Sequence, residues 1–139
     1  MKRFAATLAF ALFTAAAASA QSYPDDPGVG EERGVEQVNN SGQVGTVTLF
    51  RRGPNTSVVV DLKGTDPGRV QSVRIYRGAS CEDLNPGRPA YFLHDMRNGR
   101  SVSVVKAPED KLLSGNYNLV VFSSNTAGAR GTGCGHLYA

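Results

Sequence analysis

Apolar and polar residues alternate with a period of two along most of the chain after residue 43, which predicts β-strands. In the first such run, QVGTVTLFRR at residues 43–52, Val47 and Leu49 alternate with Thr46 and Thr48. Comparable runs predict further strands at residues 56–64, 70–77, 90–96, 101–107, 116–123 and 134–138.

Glycine, proline and asparagine separate nearly all of these runs, as turns require. Asn98-Gly99 is the strongest short hairpin signal in the chain, and PEDKLLSG at residues 108–115 is long enough for one helical turn. Short strands joined by turns predict an all-β fold with antiparallel sheets. We expect a Greek-key β-sandwich or flattened barrel of about seven to eight strands with one disulfide.

The N-terminal residues have the pattern of a secretory signal peptide. Lys2 and Arg3 precede an apolar run, and Ala18-Ser19-Ala20 matches a small-x-small cleavage site. We therefore expect residues 1–20 to be a signal, residues 21–43 a flexible polar lead-in, and residues 44–139 the folded domain. The protein should be exported, to the periplasm or outside the cell, with no membrane-spanning segment after cleavage.

The charge balance argues against nucleic acid as a partner. Loss of Lys2 and Arg3 with the signal leaves 13 basic against 12 acidic side chains, a net charge of +1. A nucleic-acid-binding surface needs a concentrated basic face, which this balance does not suggest.

The two cysteines, Cys81 and Cys134, both lie after the predicted signal and would reach an oxidising compartment. One disulfide is the simplest expectation for such a pair. The alternative is a reactive or metal-binding pair, but neither cysteine is part of a CxxC motif or close to a His-rich cluster.

Several segments resemble known families. RIYRGASC at residues 74–81 resembles the HIHEKGSC segment that carries two copper-binding histidines in bacterial Cu,Zn superoxide dismutases. SNTAGARGTGCG at residues 124–135 resembles that family's TGNAGGRLACG segment, with one extra residue between Arg130 and Cys134, and NGRSVSVVKAPED at residues 98–110 resembles a third segment. The resemblance implies a Cys81–Cys134 disulfide. LLSGNYNLVVFSS at residues 112–124 also resembles a segment of chordin-type (CHRD-like) domains, which are exported β-sandwich modules.

The departures from the dismutase pattern bear on function. Arg74, Tyr76 and Lys106 stand where that family has copper-binding histidines, and the EDLNPGRP segment at residues 82–89 has no histidine for zinc. Arginine and lysine are cations with no free lone pair at neutral pH, so they cannot replace imidazole. We therefore expect a superoxide-dismutase-like domain with no metal centre and no cofactor.

A strand that places Val73 and Ile75 in the core directs Arg74 and Tyr76 outward. We expect Arg74, Tyr76 and Lys106 to form a contact surface for an anionic or glycan ligand, and an ordinary solvated face is the alternative. Arg130 resembles the arginine that guides superoxide in the dismutase family, so we add it to the possible contact residues.

The only two histidines are His94, which precedes Asp95, and His136, which follows Cys134 by two residues. No serine or cysteine nucleophile is placed near His94 by any motif. Each histidine is a weak candidate metal ligand, and a surface or packing role is the simpler expectation for both.

The first functional hypothesis is a non-catalytic, exported binding or envelope-associated module, expected to be a monomer, whose partner is a protein, a glycan or an anionic ligand. The enzyme alternative is a degenerate copper-binding or superoxide-dismutase-type protein that uses His94, His136 and Asp95. A third hypothesis is a small accessory or inhibitor protein that engages its partner through the loop at residues 124–133.

Overall fold

The computed structural model describes residues 29–83 and 88–138, and within these ranges the chain is mostly β-structure. The predicted signal peptide at residues 1–20 lies outside the described residues. The strands are β1 (Glu31–Gln37), β2 (Val44–Arg52), β3 (Asn55–Lys63), β4 (Val70–Gln71), β5 (Val73–Arg77), β6 (Tyr91–Phe92), β7 (Met96–Arg97), β8 (Arg100–Val105), β9 (Tyr117–Phe122) and β10 (Gly131–His136), and a six-residue helix, α1 (Glu109–Ser114), lies between β8 and β9.

The strands form one antiparallel sheet in the order β4-β7-β8-β3-β2-β1-β10-β9-β5-β6. Two short connections join the opposite ends of this order, since Ser72 alone separates β4 from β5 and residues 93–95 separate β6 from β7. A residue spans at most about 3.6 Å of extended chain, so these connections hold the two ends of the sheet close together. The sheet is therefore strongly curled.

Alternating residues of the long strands face the inside of the curl and build the core. Val47 and Leu49 of β2 and Val58 and Val60 of β3 are each 0% exposed. Leu112 of α1 joins the same apolar cluster, so the helix covers part of the core. Each buried aliphatic side chain of this size stabilises the fold by about 1.5–3 kcal/mol relative to an exposed one.

The predicted helical turn at residues 108–115 is confirmed as α1. Pro108 precedes its first residue, where a missing N–H costs nothing, and Glu109 and Asp110 place negative charge in the first turn. Arg51 at the end of β2 forms ion pairs with both carboxylates. No helix in residues 29–83 and 88–138 is both long and apolar enough to cross a membrane.

The predicted Asn98-Gly99 hairpin joins β7 to β8. Both residues have positive φ, 50° for Asn98 and 77° for Gly99, as a type I′ turn requires. A Cβ atom on Gly99 would lie 2.4 Å from the carbonyl oxygen of Leu62, so only glycine fits this close approach to β3.

The all-β class, the antiparallel pairing and the single disulfide are confirmed, whereas the number of strands is larger than predicted. The predicted strand at residues 70–77 is divided at Ser72 into β4 and β5, because the chain leaves one end of the sheet and enters the other there. The predicted strand at residues 90–96 pairs with β5 only at Tyr91 and Phe92, and Met96 belongs to β7.

Strand β1 corrects the prediction that residues 21–43 form a flexible lead-in and that the folded domain begins at residue 44. It lies inside the sheet, where it pairs with β2 on one side and β10 on the other. Its sequence, EERGVEQ, has one buried apolar residue, Val35, so it lacks the alternation of apolar and polar residues by which the longer strands were predicted. Backbone hydrogen bonds to two neighbours, rather than apolar burial, hold this strand.

Candidate functional site

The outer side of the sheet carries an arginine between two phenylalanine rings. Arg74 on β5 lies opposite Phe92 on β6 and opposite Val120 on β9, and Phe122 is two residues further along β9. The Cζ atom of Arg74 lies 5.4 Å from the ring centroid of Phe92 and 5.3 Å from that of Phe122. We call Arg74, Phe92 and Phe122 the arginine face.

The arginine face is partly open to solvent. The Phe92 side chain is 71% exposed on the two-residue edge strand β6, whereas Arg74 and Phe122 are half-buried. In the part of the chain that the structure describes, Arg74 forms no ion pair. Its guanidinium charge is stabilised by the two π-systems, each worth about 0.5–1 kcal/mol at an exposed site. The charge is therefore held in place without a carboxylate to neutralise it.

Tyr76 lies on the same side of β5 as Arg74 but does not contribute to an exposed surface. It is 7% exposed and packs with Val120 and Cys134 in a small apolar cluster outside the main core. Its ring contacts that of Phe122 edge-on, with centroids 6.4 Å apart. The prediction that Tyr76 faces solvent is wrong, because the two cysteines of the disulfide and the side chains of Val38 and Phe122 pack in the same cluster and cover it.

Strand β10 and Tyr138, two residues beyond its end, are linked to the loop that follows β5. Cys134 forms the disulfide with Cys81. His136 is hydrogen-bonded through Nδ1 to Asn118, whose side-chain amide donates to the carbonyl of Gly78. The Tyr138 hydroxyl donates to the carbonyl oxygen of Ala79.

A groove of about 600 Å³ lies beside the disulfide, lined by residues of the paired strands β1 and β10 and by Cys81 and Glu82. Its charged lining residues include Arg33, Glu36 and Glu82, and His136 also faces it. Arg33 donates through Nη1 to Glu31 at 3.3 Å, and its Nε is buried with no hydrogen-bond partner among the described residues. The carboxylates of Glu36 and Glu82 would repel an anionic ligand, so the groove is less suited to such a ligand than the arginine face.

The structure does not bring all the predicted contact residues together. Lys106 is exposed just after β8, on the same side as the exposed Val102 and Val104. Strand β8 pairs with β3 and β7, whereas β5, which carries Arg74, pairs with β6 and β9. Arg130 is exposed in the loop before β10 and lines a different cleft, at one end of the sheet. Among the predicted contact residues, Arg74 is therefore the centre of the candidate site.

The two histidines lie in different surroundings. The backbone N–H of His94 donates to Ser103 of β8, and its carbonyl accepts from Ser101. His136 is bonded to Asn118 and stacks against Tyr138 on the other half of the sheet. The described residues contain no group of three or more His, Cys, Asp or Glu side chains placed to hold a metal ion. His94, Asp95 and His136 are therefore not brought together in such a group within residues 29–83 and 88–138.

Phe92 and Phe122 were not predicted as partners of Arg74. Both lie in predicted strands, and their outward direction follows from alternation with Tyr91 and Val121. Their distance from Arg74 depends on the register of β6 and β9 against β5, which alternation alone does not give.

Comparison of the chain with protein-family models, with curated proteins and with solved structures finds no match.

Proposed function

We propose that this protein is an exported, non-catalytic binding module that takes an anionic group of a glycan or protein at the arginine face. The observation that carries the proposal is the Arg74 guanidinium, held 5.4 and 5.3 Å from two phenylalanine rings with no ion pair among the described residues. Such a group is prepared for a ligand because its orientation is already restricted before binding.

The chemistry of the guanidinium favours a carboxylate, sulfate or phosphate as the group bound. Arginine presents five N–H donors in one plane, which match the oxygens of these anions two at a time. Contact with aromatic rings leaves the N–H edge of the plane available for such hydrogen bonds. The exposed ring of Phe92 adds an apolar surface next to the charge, on which the ring of a sugar or an aromatic side chain can pack.

A relationship to the superoxide-dismutase and chordin-type domains, with a Greek-key sandwich topology, is part of the same proposal. It is supported by the disulfide between Cys81 and Cys134, the pair that the resemblance implies. It is also supported by the position of Arg74 on a sheet strand that leads into the first cysteine.

Titration calorimetry with a carboxylated glycan, polygalacturonate, would test the proposal, with neutral dextran as the matched ligand control. Arg74→Gln should weaken binding of polygalacturonate about 10- to 100-fold, because a hydrogen bond to a charged group contributes about 1.5–3 kcal/mol. Arg74→Lys should also weaken binding, because lysine keeps the charge but loses the planar donors.

Arg52→Gln is the matched protein control, since Arg52 is an exposed arginine at the end of β2 and its loss changes the net charge equally. Equal weakening in the Arg52 and Arg74 variants would show non-specific attraction between charges and would contradict the proposal. Failure of polygalacturonate, heparin and polyphosphate to bind would also contradict it, since these probes supply all three anionic groups.

A further inference from the structure

The three segments that follow the C-terminal ends of β1, β3 and β9 meet and form a polar cleft of about 240 Å³. The β1–β2 turn contributes Asn39 and Ser41, and the β3–β4 turn contributes Asp66 and Arg69. The β9–β10 loop contributes Arg130. The cleft is separate from the arginine face, because neither Arg74 nor Phe92 nor Phe122 lines it.

Two buried glutamine side chains, one of them in the lining of the cleft, are hydrogen-bonded to each other. Gln43, which lines the cleft, is 2% exposed, and Gln71 behind it is 1% exposed. Gln71 Nε2 donates to Gln43 Oε1 at 3.0 Å and to the carbonyl of Phe122 at 2.7 Å. Buried polar side chains are stable only when hydrogen-bonded, so this network fixes the position of the Gln43 amide.

The Gln43 amide nitrogen keeps donor capacity for a ligand. Its one hydrogen bond among the described residues, to Gln71 Oε1, is 3.5 Å long, well beyond the usual 2.7–3.2 Å for N–H···O. A primary amide carries two N–H hydrogens, so at least one of them has no acceptor at normal hydrogen-bond distance. A ligand oxygen in the cleft that accepts from Gln43 Nε2 would satisfy it.

The charged residues at the rim indicate the charge of the ligand. Arg69 and Asp66 form an ion pair with each other, which neutralises one positive charge. Arg130 forms no ion pair within residues 29–83 and 88–138. The cleft therefore has one uncompensated positive charge beside amide and hydroxyl groups.

We infer that this cleft binds a small hydroxylated monocarboxylate, of the sugar-acid class. The Arg130 guanidinium takes the carboxylate, and the hydroxyl groups of the ligand exchange hydrogen bonds with the Gln43 amide and the side chains of the β1–β2 turn. The volume is below the roughly 300–1,000 Å³ of pockets that enclose drug-sized ligands, so it fits a ligand of about monosaccharide size. The inference does not depend on the arginine face.

The test is a titration of the oxidised protein with D-glucuronate, with D-glucose as the neutral ligand of the same shape. Calorimetry gives the affinity, and NMR of the ¹⁵N-labelled protein follows the side-chain amide signal of Gln43. We expect D-glucuronate to bind with a Kd below about 1 mM, D-glucose to bind at least about tenfold more weakly, and the Gln43 amide signal to shift with saturation.

Arg130→Gln should weaken the binding of D-glucuronate about tenfold, and because Arg130 is exposed in a loop the variant should fold normally. Arg74→Gln should leave the affinity unchanged, which separates this site from the arginine face. The inference is overturned by the absence of saturable binding at about 10 mM D-glucuronate, by equal affinity for D-glucose, or by unchanged affinity in the Arg130 variant.

Discussion

Reduction of the disulfide between Cys81 and Cys134 should lower the free energy of unfolding by about 4 kcal/mol. The two cysteines are 53 positions apart in the chain. Closing a loop of this length removes about 14 cal/mol/K of conformational entropy from the unfolded chain, which at 25 °C corresponds to about 4 kcal/mol. A domain of this size has a total stability of only about 5–15 kcal/mol, so the loss would be a large share of it.

The folded state should change much less than the unfolded state. Cys134 is 5% exposed and packs with Tyr76 and Val120, contacts that its thiol can keep after reduction. The two sulfurs must move apart once the bond is broken, and Cys81 can do so because it is only partly buried, in a loop. The loop before β6 also keeps the hydrogen bonds from Asn118 and Tyr138 after reduction. Most of the effect should therefore arise from the greater freedom of the reduced, unfolded chain.

The measurement is urea-induced unfolding of the oxidised protein and of the same protein in excess reductant, followed by circular dichroism. Cys81→Ala/Cys134→Ala serves as a covalent control that cannot reoxidise. The dependence of the unfolding free energy on urea should be steeper for the reduced protein, because its unfolded chain exposes more surface. A loss of stability below about 1.5 kcal/mol with an unchanged slope would refute the entropy argument.

Three further substitutions test separate parts of the fold. Leu49→Ala removes a fully buried side chain of β2 and should cost about 2–5 kcal/mol in urea unfolding, because the rigid core cannot fill the cavity; a cost below about 1 kcal/mol would mean that this part of the core is loosely packed. Gly99→Ala should lower the free energy of unfolding by more than about 1 kcal/mol, since the residue has φ 77° and its new Cβ would lie 2.4 Å from the Leu62 carbonyl oxygen. A melting temperature equal to that of the parent protein would contradict this geometry. Tyr138→Phe removes the hydroxyl that donates to Ala79 and should cost about 0.5–1.5 kcal/mol; hydrogen exchange should show faster opening of the loop at residues 78–83, and unchanged exchange would argue against this contact.

The strands with clear alternation could be predicted from the sequence, whereas those held mainly by their neighbours could not. In β2, the buried Val47 and Leu49 alternate with threonines, and in β3 the buried Val60 and Leu62 flank the exposed Asp61, so both strands follow from the period of two. In β1, only Val35 is buried, and the strand exists because β2 and β10 hydrogen-bond to its two edges. That pairing is a property of the tertiary structure, which local propensity does not contain.

The candidate site could be predicted only in part for the same reason. Alternation placed Arg74 on the outer side of β5, and the structure agrees. Burial of Tyr76 depends on its packing with Cys134 and Cys81 of the disulfide, and the approach of Phe92 and Phe122 to Arg74 depends on strand register. Both are contacts between segments far apart in the chain, so the pattern within any one segment cannot show them.

The position of β1 between β2 and β10 has a consequence for how the chain folds. Glu36 of β1 is paired with Cys134, so one edge of β1 stays open until nearly the whole chain is present. Contacts between such distant residues make folding slow, and an open strand edge invites pairing with another molecule in the meantime. The charged side chains of β1, which made it unlike a strand in the sequence, are the kind that discourage such pairing. The charged residues that made β1 hard to predict therefore also disfavour its pairing with another molecule before β10 is in place.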